Sequence, residues 1–488
     1  MANITPFFQA FGPLLFGKRS RSQIGKVKRL DSLGELYELF GEFLPDRLLS
    51  MSEQGPNSRE RILTPKVTFW AFVSQVLDAG SACRDAVRKV EAWWRWMQRD
   101  RAGEPSLSAS AYCQARARLD MQTLRLIHDH LAWSLERRVP SAQLWSGRKV
   151  KIVDGTTLSM PDTPGNQQSW PQPSTQKEGL GFPCMKLTAI FSLASGALED
   201  YATGTLHQHE SVLFRSLWDK LEKGDVMLGD RGFCSYAALA GLSRRGIDSV
   251  MRLHQARKVS FREGRRLGDD DRLVTWEKPA QRPDAWSRAQ WEALPGSLSL
   301  RLIRLYVRTP GFRTREVTLV TTLIDAEAYP AEAIRALYAQ RWEVELHFQQ
   351  IKILLGLDIL RCKSPALIEK EALMHVIAYN LIRLLMQQAA STHGADLGRI
   401  SFKGTLDTVR HFAAAIHAAR ATPRKQDALI AEMLAIIAAD CVPERPGRSE
   451  PRAKKRRSKN YHLLTKPRAK MRVPPHRNRP RPLIPKAA

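Results

Sequence analysis

No stretch of about 18 apolar residues occurs anywhere in the 488-residue chain, so no membrane span is expected. Cysteine is scarce. Cys83, Cys113, Cys184, Cys234, Cys362 and Cys441 are scattered, and no two have C-x-x-C spacing. That argues against a zinc knuckle or a disulfide scaffold and for reduced thiols in a cytoplasm. A signal peptide is not indicated either. The apolar run over residues 1–17 holds Pro6, Gly12 and Pro13, and its cations (Lys18, Arg19, Arg21) follow it instead of preceding it. Acidic residues are in short supply, 49 Asp+Glu against 76 Lys+Arg, for a net charge of +27. An excess of that size and sign favours a polyanionic partner, most simply nucleic acid. From Cys441 onward there are 16 Lys/Arg and 2 Asp/Glu, and the remainder still carries +13.

The length suits roughly two to four domains. Residues 1–145 read as helical. Residues 33–48 carry an apolar stripe. Thr64 and Pro65 form a helix start opening residues 66–77, whose Phe69, Trp70, Val73 and Leu77 make a core face. A second helix covers 82–97. After a break at 103–106, Ser108 or Ser110 can cap a third, which bears Arg116 and Arg118. A short basic helix of this kind suits major-groove docking, with Arg116 and Arg118 as candidate end-reading residues; a helical bundle with a solvated basic face fits the same pattern.

The pattern changes near Lys149. Residues 150–153 are β-branched and apolar, a strand ending at Asp154, Gly155 and Thr156. Strands follow at 186–193 and 198–205, joined by a Ser195–Gly196 hairpin turn. A helix at 210–221 comes next, then a strand at 225–228 ending at Gly229, Asp230, Arg231 and Gly232, a helix at 235–243, and a strand at 249–253. A β-prone region with Trp276, Trp286 and Trp291, about 255–335, intervenes before apolar helices at 364–389, 405–419 and 425–439. Residues 443–488 are rich in Pro, Lys and Arg, the composition of a disordered tail or of one ordered only on a polyanion.

One Pro- and Gly-free stretch, 337–352, reads as a continuous helix. At about 100° per residue, Tyr338, Arg341, Glu345 and Lys352 share one stripe. There Glu345 can bind a divalent cation, Arg341 can clamp a phosphate bidentately and Lys352 can add a point charge. An Arg–Glu pair at i, i+4 on a solvated helix is the plain alternative. Asp154 and Asp230 both follow apolar strands, where function collects in open α/β sheets, though Asp–Gly is also ordinary turn chemistry. Two carboxylate-bound cations about 4 Å apart activate a water or 3′-hydroxyl in phosphodiester transfer. Asp154, Asp230 and Glu345 are the candidate catalytic and metal-binding set. Arg252, at the end of the fifth strand, is a weaker phosphate candidate. His207 and His209 fit no metal pattern and read as structural or surface residues.

This arrangement resembles the DDE transposases of bacterial insertion sequences, specifically the insertion-sequence-four family. The family signature Tyr-x2-Arg-x3-Glu-x6-Lys is met by Tyr338, Arg341, Glu345 and Lys352. Asp154-Gly155-Thr156 and Asp230-Arg231-Gly232-Phe233 are similar to its other acidic blocks, and the likeness runs over roughly 60–390. The resemblance implies an α/β protein with an RNase H-like catalytic core over 146–390 and a β-rich insertion at about 255–335. It further implies a helical N-terminal DNA-end-binding domain over 1–145, a helical dimerisation region over 391–442 and, beyond it, the basic tail. It implies dependence on Mg2+, two ions per site with Mn2+ able to substitute, held by Asp154, Asp230 and Glu345. Tyr338, Arg341 and Lys352 then hold phosphates of double-stranded DNA at the terminal inverted repeats, and a homodimer synapses the ends in a bacterial cytoplasm, at the nucleoid. In that family an insertion aromatic commonly stabilises a flipped base. Trp276, Trp286 and Trp291 are all eligible, though for any one of them a place in the core is the more common fate. A catalytically silent DNA-binding derivative and a structure-selective nuclease on the same fold are the competing readings.

Overall fold

In the structure, a computed structural model that describes residues 39–44, 62–97, 108–306, 316–419, 422–443, 464–467 and 470–471, Thr64 caps the helix Pro65–Leu77. Its hydroxyl accepts from the Val67 amide at 3.2 Å, and Pro65 fills the first turn, where a missing N–H costs nothing. Phe69, Trp70, Val73 and Leu77 are all buried. Ser108 caps Ala109–Arg118 and Asp120 caps Met121–Arg137 in the same way. With Cys83–Met97 and the late helices Pro365–His393, Phe402–Ala419 and Pro423–Ala439, these build one of two compact units. That unit draws on Met1–Val139, Gln349–Leu357 and Ala366–Glu444. The helix Pro365–His393 is buried over most of its circumference, as a central helix must be. Lys370 donates to the Ala117 carbonyl at 2.6 Å and Gln387 to that of Leu135 at 3.0 Å, joining the two helical ends of the chain in one core.

Arg116 belongs to that core. Its guanidinium lies over the rings of Phe72 (4.7 Å) and Tyr112 (5.0 Å), and it donates to the Cys83 and Cys113 sulfurs at 3.3 and 3.5 Å. The expectation that Arg116 reads DNA is therefore corrected, because a guanidinium sealed between rings and thiols cannot reach a groove. Arg118, two residues on, is exposed.

The other unit comprises Pro140–Phe348, Asp358–Pro365 and Arg445–Ala488. It is built on one nine-stranded sheet in the order β3-β2-β1-β4-β5-β9-β8-β7-β6. The strands are β1 Val150–Ser159, β2 Cys184–Ser192, β3 Leu198–Thr205, β4 Val226–Gly229, β5 Asp248–Arg252, β6 Arg265–Gly268, β7 Asp271–Glu277, β8 Ser297–Tyr306 and β9 Glu316–Thr321. β1, β2 and β3 pair antiparallel, while β4 and β5 run parallel to β1. Gly196, at φ 67°, makes the β2–β3 turn that the sequence signals. The β-rich region after β5 extends the sheet, since β9 pairs antiparallel with β5 and β8, β7 and β6 follow in turn. Trp276, Trp286 and Trp291 are all buried in one cluster with Trp218 and Tyr236, at ring separations of 6.1–6.4 Å along the chain Trp218–Trp286–Trp291–Tyr236. All three tryptophans are thus core residues. Among the described residues no helix is long and apolar enough to cross a membrane.

The stripe at 33–48 and the break at 103–106 lie largely or wholly outside the described residues, as does most of 443–488. Within that tail the Leu464 amide donates to the Leu180 carbonyl at 3.2 Å.

Arg301 on β8 is 1% exposed and holds Asp271 on β7 through two charged hydrogen bonds, 2.8 and 2.5 Å, while donating to the Tyr329 carbonyl at 2.6 Å. Removing the carboxylate strands a buried cation. Asp271→Ala is expected to lower stability by about 3–5 kcal/mol, read by chemical denaturation followed through tryptophan emission; a loss below about 1 kcal/mol contradicts this account.

Candidate active site

Asp154 sits inside a strand and not at its end. β1 runs on to Ser159 because β2 continues to pair with it, Asp154 opposite Ala189 and Gly155 opposite Thr188. The parallel partner β4 stops first, the last matched pair being Val153 with Gly229. Asp154 is therefore one residue past the end of the parallel ladder on β1, and Asp230 is one residue past it on β4. The backbone brings both acids to the same edge.

A third carboxylate, which the sequence reading passed over, joins them. Glu210 opens the helix Glu210–Ser216, which His209 caps by accepting from the Ser211 amide at 3.3 Å. A Cβ placed on Gly155 would lie 2.9 Å from Glu210 Oε1, and one on Gly232 would lie 3.8 Å from Oε2. The Glu210 carboxylate thus rests against the residues that follow both aspartates. The available signal was weak: an acid at the first turn of a helix is what the macrodipole favours anyway.

Burial and these neighbours push the Asp154 carboxyl up to about 6. Desolvation is the largest cause, Asp230 and Glu210 add to it, and the Gly155 amide (2.8 Å) and Arg341 oppose it. Arg341 is itself buried, its guanidinium 4.8 Å from the Trp342 ring and 5.9 Å from that of Tyr338. Tyr338 is buried too. Its hydroxyl donates to the Gly229 carbonyl at 3.3 Å, the residue before Asp230. Burial raises its pKa far above the ordinary tyrosine range, with Arg341 and Arg252 pulling down and Asp230 pushing up. Arg252, at the end of β5, is therefore near enough for its charge to act on Tyr338.

The signature stretch is not one uniform helix. Ala331–Ala339 is α-helical, Gln340–Trp342 tightens to a 3-10 turn, Glu343–Gln349 is α-helical again and Gln350–Leu354 widens to a π turn. Three residues at 3.0 per turn advance about 60° more than in an α-helix, so the single stripe drawn at constant phase does not hold. Tyr338 and Arg341 point inward while Glu345 is exposed. Lys352 falls on the π turn, within the helical unit. Among the described residues no three carboxylate, histidine or cysteine side chains stand close enough to hold a metal ion. The structure thus brings Asp154, Asp230, Tyr338, Arg341 and Arg252 together, adds Glu210, and leaves Glu345 at the surface of the adjoining helix.

Beside Asp230 opens a groove of about 680 Å3. Arg231, His254, Arg257 and Lys258 line it, and Trp276 forms part of its wall, under the Arg257 guanidinium at 3.8 Å.

A family model described as the transposase DDE domain matches residues 145–381, the span that holds both aspartates and Glu345. The chain is similar to the transposase InsG of insertion sequence element IS4 from Escherichia coli (strain K12), 26% identical over 90% of this chain and 97% of that one. Together these likenesses support a DDE transposase of the insertion-sequence-four family. A shorter likeness, 39% over 71 residues, links this transposase to the transposase of insertion sequence element IS421 of Escherichia coli, covering 14% of this chain and 19% of that one. A solved piggyBac transposase synaptic complex with hairpin DNA matches over 90% of each chain at TM-score 0.41 and 11% identity, a likeness too slight to bear on fold or function.

The raised Asp154 pKa has a definite sign. Above about pH 6 the carboxylate is charged in both folded and unfolded chains, and folding works against its burial. Below about 4 it is neutral in both, and that cost is gone. Without divalent cations, Asp154→Asn is expected to melt higher than the parent at pH 7.5, with the gain gone by pH 4. An equal gain at both pH values contradicts the assignment.

Proposed function

We propose that this transposase cleaves and rejoins the ends of its insertion sequence by metal-dependent phosphodiester transfer on an RNase H-like core. The observation that supports this best is the placement of Asp154 and Asp230 one residue past the last matched pair of neighbouring parallel strands. The strand order 3-2-1-4-5 with β2 antiparallel supports the fold assignment. The donor set suits a hard divalent ion. Oxygen ligands prevail, and the burial of the Asp154 charge, with the lesser repulsion from Asp230 and Glu210, is a cost that such an ion relieves. Asp154 and Asp230 would hold it, with Glu345 as the third carboxylate from the exposed face of Glu343–Gln349. Two Mg2+ ions, when bound, supply activation of a water or 3′-hydroxyl and charge neutralisation at the phosphate; Mn2+ shares the ligand chemistry.

The remaining residues act by holding. Tyr338 fixes the peptide before Asp230 through the Gly229 carbonyl, and Arg341 supplies a buried positive charge facing Asp154. Arg252, and Arg231, Arg257 and Lys258 along the groove, take the DNA backbone; Lys352 is a further phosphate ligand. The substrate is double-stranded DNA, the terminal inverted repeats and then the target, in a synaptic homodimer at the nucleoid. One observation favours the second reading, a catalytically silent DNA-binding protein: Glu345 stands exposed, and among the described residues no three acids stand close enough to hold a metal ion.

Asp154→Asn, Asp230→Asn and Glu345→Gln are each expected to keep end binding in a gel shift while strand cleavage with Mg2+ falls about a thousandfold or more, the loss of several kcal/mol of charge stabilisation. Cleavage at parental rate in any one of them removes that residue from the site. Binding without cleavage by the parent protein supports the silent derivative.

A further inference from the structure

A second cationic pocket, about 540 Å3, lies among the helices Glu210–Ser216, Tyr236–Arg244 and Arg288–Glu292. Three guanidinium groups line it, those of Arg215, Arg244 and Arg245, over the indoles of Trp218 and Trp286. Each guanidinium is steered by a neutral acceptor. Arg215 donates to the Ala285 carbonyl at 2.7 Å and stacks on Trp286 at 3.8 Å. Arg244 donates to the Ala293 carbonyl at 2.8 Å, and Arg245 to that of Trp218 at 3.3 Å. Carbonyls orient a guanidinium without cancelling its charge. The one carboxylate in the lining is Asp219, paired with Arg245 at 2.9 Å and 87% exposed. Burial and the Arg245 charge both pull the Arg215 pKa down, a repulsion that an anion in the pocket relieves. The Trp218 indole N–H is buried and finds no acceptor among the described residues. Lys220 and Lys223 are exposed alongside, Lys223 packing against Gly246.

The pocket is remote from the acids. Asp230 follows the carboxyl end of β4, whereas Arg244 and Arg245 precede the amino end of β5, its parallel neighbour. The helix Tyr236–Arg244 that connects them is nine residues, about 13 Å, long. A phosphate bound here is not the one being cut.

We propose that this pocket grips the phosphodiester backbone of a DNA duplex at a point separate from the cleavage site. The inference rests on the reading that this transposase acts on DNA, but not on the metal assignment. An extended polyanion fits better than a small one, because two of the three guanidinium groups are exposed on a chain of net charge +27, with Lys220 and Lys223 nearby beside the acids Asp219 and Glu222. Arg244 and Arg245 are exposed, so replacing them leaves the core intact.

The test is fluorescence anisotropy of a labelled duplex across a salt series, with full-length protein. Arg244→Gln/Arg245→Gln is expected to weaken binding and to reduce the slope of log K against log salt by about 2, near 0.9 for each phosphate no longer neutralised. Arg262→Gln/Arg265→Gln, an equal reduction of charge on exposed residues outside the pocket, should change the slope by less than half as much. Ala289→Glu, on the exposed side of the lining helix, should weaken binding while leaving the native hydrogen bonds and packing in place. Cleavage of a pre-bound end should persist in all three. An unchanged slope, or one matched by the control pair, overturns the proposal. So does a loss confined to inorganic phosphate or ATP titrations, which would make the pocket a small-anion site. If the parent protein binds no duplex, the DNA reading itself fails. If the parent binds and the pocket variants bind equally well, only this inference does.

Discussion

The burial of a carboxylate beside other acids is the constraint on which the catalytic unit depends. Asp154, Asp230 and Glu210 converge where the parallel ladder of β1 and β4 runs out, and Asp154 bears the electrostatic consequence. Burial is the larger part of that cost, and the Gly155 amide relieves some of it. The buried Arg341 offsets it in part, and Tyr338 spends its hydroxyl on the backbone beside Asp230. Stability is surrendered where Asp154 is buried beside other acids, and local cost of that kind is characteristic of functional sites.

Much of this was legible in the sequence. Apolar runs ending in Asp154-Gly155 and in Gly229-Asp230 marked two of the strands, Thr64 and Ser108 marked helix starts, and the spacing Tyr-x2-Arg-x3-Glu-x6-Lys singled out the late acidic element. Local rules reached that far because capping and alternation act within a few residues. They stopped where distant segments decide. Nothing local shows that β2 keeps β1 extended past Asp154, that the arginine of a basic helix is sealed between Phe72 and Tyr112, or that Glu210 comes to lie against Gly155 and Gly232. The signature stretch is the clearest case. Its composition asks for unbroken α-helix, and the inward demand of Arg341 is met by a 3-10 turn instead.

The β-rich region after β5 serves the site indirectly. Its strands lengthen the sheet, while its tryptophans pack with Trp218 and Tyr236 on the helices that flank β4. Gly241 makes that packing feasible, since a Cβ there would come within 2.6–2.7 Å of the Trp218 ring. The aromatic core thereby fixes the loop after β4 from below, and Trp276 lends part of its edge to the groove beside Asp230.

The change of winding at Gln340–Trp342 sets a rule for how this gene can drift. Gaining or dropping one codon anywhere between Tyr338 and Glu345 would rotate the downstream helix by about 100° and carry Val344, His347 and Phe348 off the face they now bury. The length of that interval is constrained more tightly than its exposed side chains, so reading-frame-preserving insertions should survive in connecting loops and vanish here.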